Sequence, residues 1–388
     1  MAKYSWTLTD LGEEVYLDSL SIDAENLDGN ATAYSVSKRT MHGGRGDGVD
    51  VVEIDNGLFQ FIVLPTRGMG LWRGSLGSLP IGWKSPVRGP VHPNYVPLEE
   101  ASGLGWLEGF NELLCRCGLQ SNGAPEFDEQ GELLYPLHGK IANSPAHRVE
   151  LEIYADSGEI TLRGIVEETR FHFQKLELKT EYRTKVGESG VRCRDTITNL
   201  SAKRAEAQLL YHINIGEPLL QPGSSVHLPF KQIVPRNAHA ASGLEHWSHY
   251  AAGEVDYQEQ VYFFEPAANA DGETATLLQS SDGTQGFSVH YNIKQLPYFC
   301  LWKNTVASED GYVTGLEPGV NFPNPRTFEG EHNRVITLEG GESKTFEIGL
   351  QVHEGAESVS TTRQQIEEIQ KKSQPVVHAQ PVADWCAP

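Results

Sequence analysis

"VVEIDNGLFQFIVL", residues 51–64, reads as two short strands joined at Asp55-Asn56-Gly57. Asn-Gly supplies the positive-φ positions of a tight hairpin turn, with apolar alternation on either side. The plan recurs along the chain. In "VELEIYADSGEITLRGIVEE" (149–168), Val149, Leu151 and Ile153 alternate up to a turn at Ser157-Gly158. "KLELKTEYRTKVGESGVRCRDTITNL" (175–200) turns around residues 187–190, and "ATLLQSSDGTQGFSVHY" (275–291) and "NRVITLEGGESKTFEIGLQVH" (333–353) read as further copies. Hairpin after hairpin, without strand–helix–strand alternation, predicts an all-β protein of antiparallel strands. Helical signal is confined to "TTRQQIEEIQKK" (361–372) and a turn or two in "ASGLGWLEGFNELL" (101–114). No fixed-period repeat and no Pro/Ser linker divides the chain. A single sandwich over 1–360 is therefore expected, followed over 361–388 by the helix and an extended, flexible tail.

Lys and Arg total 31 against 52 Asp and Glu, a formal net charge of −21. That balance argues against a nucleic-acid backbone and against an anionic membrane surface as partners. "MAKYSWTLTDLGEEV" at the N-terminus lacks the apolar segment of a signal peptide, and no apolar run approaches membrane length. The five cysteines form no C-x-x-C pair and no even disulfide framework; Cys115 and Cys117 are assigned to opposite faces of a strand. Reduced thiols and a cytoplasmic location are expected.

Chemistry-bearing residues collect in a few stretches. In "YVTGLEPGVNFPNPR" (312–326), Glu317 ends the alternation Tyr312, Thr314, Leu316, and Pro318, Gly319, Pro323 and Pro325 follow. A carboxylate at a strand end, backed by a rigid irregular loop, suits a general base. "LPTRGMGLWRG" (64–74) places Arg67 just after an apolar strand. "PVRGPVHPNYV" (86–96) and "GWLEGFNELLCRCGLQSNGAPEFDE" (105–129), which contains Asn111, form a long loop-rich insertion. His138 lies in "YPLHGKIANSPAHRVE" (135–150), His212 and Glu217 in "QLLYHINIGEPLL" (208–220), and Trp302 and Lys303 in "PYFCLWKN" (297–304). Singly, each has a structural explanation: a turn Glu or His, a strand-capping Arg, a solvated polar stripe, a core Trp. Jointly they concentrate in loops and at strand ends, where functional side chains gather.

This ordered set resembles the aldose 1-epimerase (galactose mutarotase-like) superfamily. "LPTRGMGLWRG", "GWLEGFNELLCRCGLQSNGAP", "LHGKIANSPA" and "YHINIGEP" look more closely like its DUF4432 branch, over roughly residues 40–355. The resemblance implies a β-supersandwich with a sugar cleft across one concave sheet. It implies a late Glu as general base on the anomeric hydroxyl and a mid-chain His as general acid toward the ring oxygen, matched here by Glu317 and His212. His138 and Arg67 match residues that hold the sugar. Asn111, Glu217, Trp302, Lys303 and Asn321 complete the expected substrate-binding set, with Trp302 or Trp106 stacking on a pyranose face.

Anomer exchange removes one proton and delivers another to a neighbouring oxygen, so an acid and a base suffice without cofactor. On this reading Glu317 starts ionised and His212 protonated, the two facing each other across the concave sheet, close enough to span a sugar ring. The chain departs from the mutarotase pattern at "INIGEP", and no residue is assigned to the Asp that holds sugar hydroxyls there. Lys303 and Arg236 add cations suited to an acidic, phosphorylated or sulfated sugar. Two alternatives stand beside the epimerase. One is a metal-assisted isomerase or lyase on a keto- or acidic sugar, with His138, His212, Glu217 and Glu317 as candidate ligands of a divalent ion. The other is a non-catalytic sugar-binding protein.

Overall fold

The computed structural model describes residues 2–388. Its strands form a 10-stranded sheet, a 14-stranded sheet and a small two-stranded ribbon. Apolar side chains from both large sheets, among them Phe61, Leu209, Leu151 and Leu162, merge into one buried core. The architecture is a β-sandwich of antiparallel strands, as the alternation dictates. Among the described residues, no helix is long and apolar enough to cross a membrane.

The 51–64 hairpin forms from strands Asp50–Asp55 and Phe59–Leu64, with Val52 opposite Val63. Gly57 takes φ +85°. The Asn56 side chain accepts hydrogen bonds from the amides of Leu58 and Phe59 and donates to Thr184 Oγ1 and the Glu188 carbonyl. One turn residue thus closes its hairpin and ties it to the facing sheet. The 149–168, 175–200 and 275–291 stretches also form paired antiparallel strands.

The 333–353 stretch does not make a hairpin. Ile336–Leu338 pairs with the start of strand Ala205–Gly216, whereas Ser343–Glu354 joins the 10-stranded sheet between Gly190–Asn199 and Gln285–Asn292. The intervening glycines carry the chain from one sheet to the other. The buried Asn199 amide holds the crossing by donating to the carbonyls of Leu338 and Glu339.

The helix spans Ala356–Gln370, beginning five residues before the helical sequence signal, and its Val359 and Ile366 pack on Ala275 and Leu277 of the 10-stranded sheet. The tail beyond it is not a free extension. Val376–Val377 adds a short parallel strand to Phe230–Pro235, and residues 382–386 pack against the 14-stranded sheet.

Between the sheets lies a fully buried ion pair. Arg116 Nε stands 2.5 Å from Asp195 Oδ2, and the same guanidinium donates to the Met69 carbonyl, Tyr182 Oη and Cys193 Sγ. Arg116 belongs to the 14-stranded sheet and Asp195 to the 10-stranded one, so the pair bonds the two layers in their interior.

Candidate active site

Four neighbouring strands of the 14-stranded sheet build the site: Leu114–Leu119, Ala205–Gly216, Val313–Gly319 and Tyr298–Asn304. Directly opposed residues share a sheet face. Cys115 opposes His212, Asn214 opposes Gly315, Trp302 opposes Gly315 and Cys300 opposes Glu317. These residues therefore line one surface. Cys115 and Cys117 both lie on it, packed in the same cluster with Leu210, not on opposite faces. Residues two apart on a strand point the same way.

The Glu317 strand runs on through Pro318 and Gly319. Its ladder with the His212 strand passes from Leu210–Gly319 directly to Ile213–Leu316. Pro318 has no N–H to give there, and the lapse falls beside His212 and Glu317.

His212 Nε2 stands 3.4 Å from Glu317 Oε1, with the side chains 5% and 2% exposed. Asn214 donates from Nδ2 to the Glu112 carbonyl, so its Oδ1 faces His212 Nδ1 at 2.7 Å. That contact places a proton on Nδ1 and turns the Nε2 position toward Glu317. The rings of Phe110, Trp302, His138 and Trp106 surround His212 at 5.2, 5.4, 5.2 and 6.1 Å between centroids. Phe110 and Trp106 come from the long insertion, which forms a wall over the pair. A Cβ on Gly315 would lie 2.2 Å from Glu317 Oε1; the missing side chain is what gives the carboxyl its place.

Burial sets the protonation of both groups. It pushes the Glu317 carboxyl up to about 8; the Cys300 thiol opposes this, Glu259 adds to it and Arg236 opposes it. Burial likewise holds the His212 imidazole well below its ordinary value, reinforced by His138 and opposed by the Asn214 bond. At neutral pH the pair is thus a carboxylic acid beside a neutral imidazole, the reverse of the ionised Glu317 and protonated His212 expected from sequence. Desolvation of two charges outweighs their mutual attraction. The proton count is unchanged at one.

Within the pair Glu317 Oε1 has no hydrogen-bond partner, nor does Trp106 Nε1 beside it, and both amide ends of the buried Asn111 in the insertion are likewise unpartnered. Orphaned buried donors and acceptors are rare, and Glu317 Oε1 and Trp106 Nε1 bring two of them to the His212–Glu317 pair. His138 sits in the left-handed region at φ +57° with Nδ1 2.9 Å from the Asn122 carbonyl. Asn321 lies behind it in a reciprocal amide pair with Asn122. Trp302 donates from Nε1 to Glu259 Oε2 at 2.7 Å, and Arg236 pairs with the other oxygen of Glu259. Glu259, Gly315 and Cys300 were not singled out from sequence, and Asn214 was read only as part of the polar stripe with His212; spacing of two from Glu317 and Trp302 is the one signal for Gly315 and Cys300, and Glu259 has none.

Other expected residues go elsewhere. All five guanidinium N–H groups of Arg67 are engaged, by Glu112 twice, by Asn143 and by the carbonyls of Val91 and Gly109. Lys303 points to the opposite face from Trp302, donating to the carbonyls of His246 and His249, and burial lowers it to about 8. Glu217 is half-exposed at the strand end, against Ser308 and Lys84. His138, His212, Glu217 and Glu317 therefore do not converge as a ligand set. Among the described residues, the one close group of His and carboxylates is His147, Glu167 and Glu177, at the 10-stranded sheet.

Residues 46–352 match the model of the family described as "Domain of unknown function (DUF4432)". A crystal structure from Klebsiella pneumoniae subsp. pneumoniae, provisionally described as an aldose 1-epimerase, superposes with a TM-score of 0.95 at 34% identity, covering 98% of this chain and 100% of that one. A galactose mutarotase-like protein from Clostridium acetobutylicum matches with a TM-score of 0.57 at 12% identity, over 82% of this chain and 98% of its own. Galactose 1-epimerase from Lactobacillus acidophilus gives 0.50 at 13%, over 87% and 99%. Among curated proteins none matches. The chain belongs to the DUF4432 family and has the galactose mutarotase-like fold.

Proposed function

We propose that this protein interconverts the anomers of a neutral free sugar by acid–base catalysis at His212 and Glu317. One observation carries the reading: a buried imidazole and carboxyl stand 3.4 Å apart, with Glu317 Oε1 otherwise unbonded. A gap of that size leaves no room for a ring between the groups, as the sequence reading supposed. It suits two oxygens on the same carbon, with the sugar lying over the pair. One group takes the proton of the anomeric hydroxyl while the other protonates the ring oxygen. The C1–ring oxygen bond breaks to give the open-chain aldehyde, which rotates and re-closes with the protons returned. In the tautomer that burial favours, Nε2 is the acceptor and Glu317 the donor; the reverse reaction exchanges the roles.

The cations support a neutral substrate over an acidic one. Arg67 has no free N–H, Lys303 faces away, and Arg236 is paired with Glu259. Anomer-exchange NMR across neutral, acidic and phosphorylated sugars tests this. Neutral sugars are expected to exchange faster with the protein, and acceleration confined to phosphorylated or acidic sugars would overturn the substrate class. No acceleration on any sugar, from folded protein, would overturn the reading itself.

The pH profile follows from the pair. Activity needs one proton on it, so the rate is expected to fall as pH rises through about 8, where Glu317 ionises, and to stay level down to below 6.5, where His212 remains neutral. A rate that climbs steadily above pH 8 would contradict the assignment. Gly315→Ala crowds the Glu317 carboxyl directly and is expected to lower kcat by about 100-fold. Far-UV circular dichroism should be unchanged, because Gly315 lies within strand Val313–Gly319 and outside the left-handed region; full activity in this variant would show that the carboxyl position is not critical.

A further inference from the structure

Residues 382–388 pack into the cluster that lies on the Cys300 side of Glu317. Val382, Trp385 and Cys386 pack with Val234, Val261, Phe263 and Cys300, and Cys300 is the residue directly opposed to Glu317. The contact is held by specific bonds. Asn324 donates to the Trp385 carbonyl at 2.8 Å and accepts from the Ala387 amide at 3.1 Å, and Arg334 donates to the Asp384 carbonyl at 2.7 Å. Trp385 lies over Phe322 with centroids 4.8 Å apart. Asn324 and Arg334 are themselves anchored on the buried Glu329, which also accepts from the Phe322 amide. The tail and the loop after Glu317 are therefore one interlocked unit, and the site's Trp302 packs against both its own aromatic cluster and this one.

We propose that residues 382–388 are a positioning strap for Glu317, sealing the Cys300 side of the acid–base site from water. The inference rests on the reading of Glu317 as an acid–base group, but its test does not depend on finding a substrate. Glu317 is faced by His212 and, across the strand pair, by Cys300; Cys117, Glu259 and Arg236 act on it from farther off. None of these is on the strap, so the strap acts by excluding water and by fixing Cys300, Phe322 and Trp302. Without it, water reaches the shelf beside the carboxyl, which then ionises more easily.

The experiment compares the 388-residue chain, a variant lacking residues 382–388, and Trp385→Ala, in case the deletion does not fold. Carboxyl 13C NMR of Glu-labelled protein follows the titration of Glu317, assigned by the resonance missing from Glu317→Gln. The midpoint is expected to drop by about one pH unit or more in the deletion and to shift the same way in Trp385→Ala. Where anomer exchange is measurable, the alkaline limb of kcat should move down with it. An unchanged midpoint in folded deletion protein, or in Trp385→Ala where the deletion does not fold, would overturn the strap while leaving the proposed function standing. A shifted midpoint in a protein that accelerates no sugar would keep the strap and remove the epimerase.

Discussion

Glu317→Gln is expected to slow anomer exchange by roughly 100- to 10,000-fold, the usual contribution of a positioned acid–base group. The same substitution is expected to stabilise the fold at high pH. The Glu317 carboxyl titrates at about 8 in the folded protein against an ordinary 4.5, because burial disfavours the charge. A raised carboxyl pKa means that the native state holds the proton more tightly than the unfolded chain. Its stabilising effect is complete below pH 4.5 and is lost as pH rises from there through 8. Above pH 8 the wild-type protein carries a penalty of roughly 5 kcal/mol for a buried charge that glutamine lacks. Melting temperatures of the two proteins should be close at pH 5 and diverge in favour of the variant up to pH 9. Parallel curves would mean that the carboxyl is not held neutral. Retained exchange activity would remove Glu317 from the chemistry, whatever the melting curves show.

The largest stability loss is expected at Asp195. Arg116 and Asp195 are both fully buried between the sheets, and Thr180 bonds the second Asp195 oxygen at 2.7 Å. Asp195→Ala leaves a guanidinium with no counter-charge in the core, a loss of about 3–5 kcal/mol for a broken buried pair. Asp195→Asn keeps the shape and an acceptor but not the charge, and is expected to lie between Ala and wild type. Urea unfolding at neutral pH measures both. A loss below about 1 kcal/mol for Asp195→Ala, the level of an exposed pair, would show that water already reaches Arg116. The site strands carry Arg116 on their inner face and the Cys115–His212 surface on their outer face. The pair thus sets the platform on which the acid–base site is built.

The fold was legible because alternation and turn chemistry are local. The Asp55-Asn56-Gly57 turn and the runs around it contain everything a hairpin needs. The 333–353 stretch carries the same local signals and was misread. Whether two consecutive strands pair or part is decided by distant partners, here Asn199 and the 205–207 strand segment. Face assignment was legible in principle. Period two alone places Cys115 with Cys117 and separates Trp302 from Lys303, so Lys303 belongs with the buried polar groups behind the sheet.

Among arginines, sequence pointed to Arg67 as a ligand-binding residue. The four acceptors that surround it, on Val91, Gly109, Glu112 and Asn143, come from separate segments of the chain, and no local pattern reveals them. Residue types, strand periodicity and family were thus determined by the sequence itself, since each depends on a few adjacent side chains. The direct opposition of His212 to Glu317, the Asn214 bond that orients the imidazole and the docking of the tail beside Cys300 were decided by tertiary structure. So was the ionisation of the pair, because desolvation depends on every segment that closes over a group and not on its neighbours in the chain.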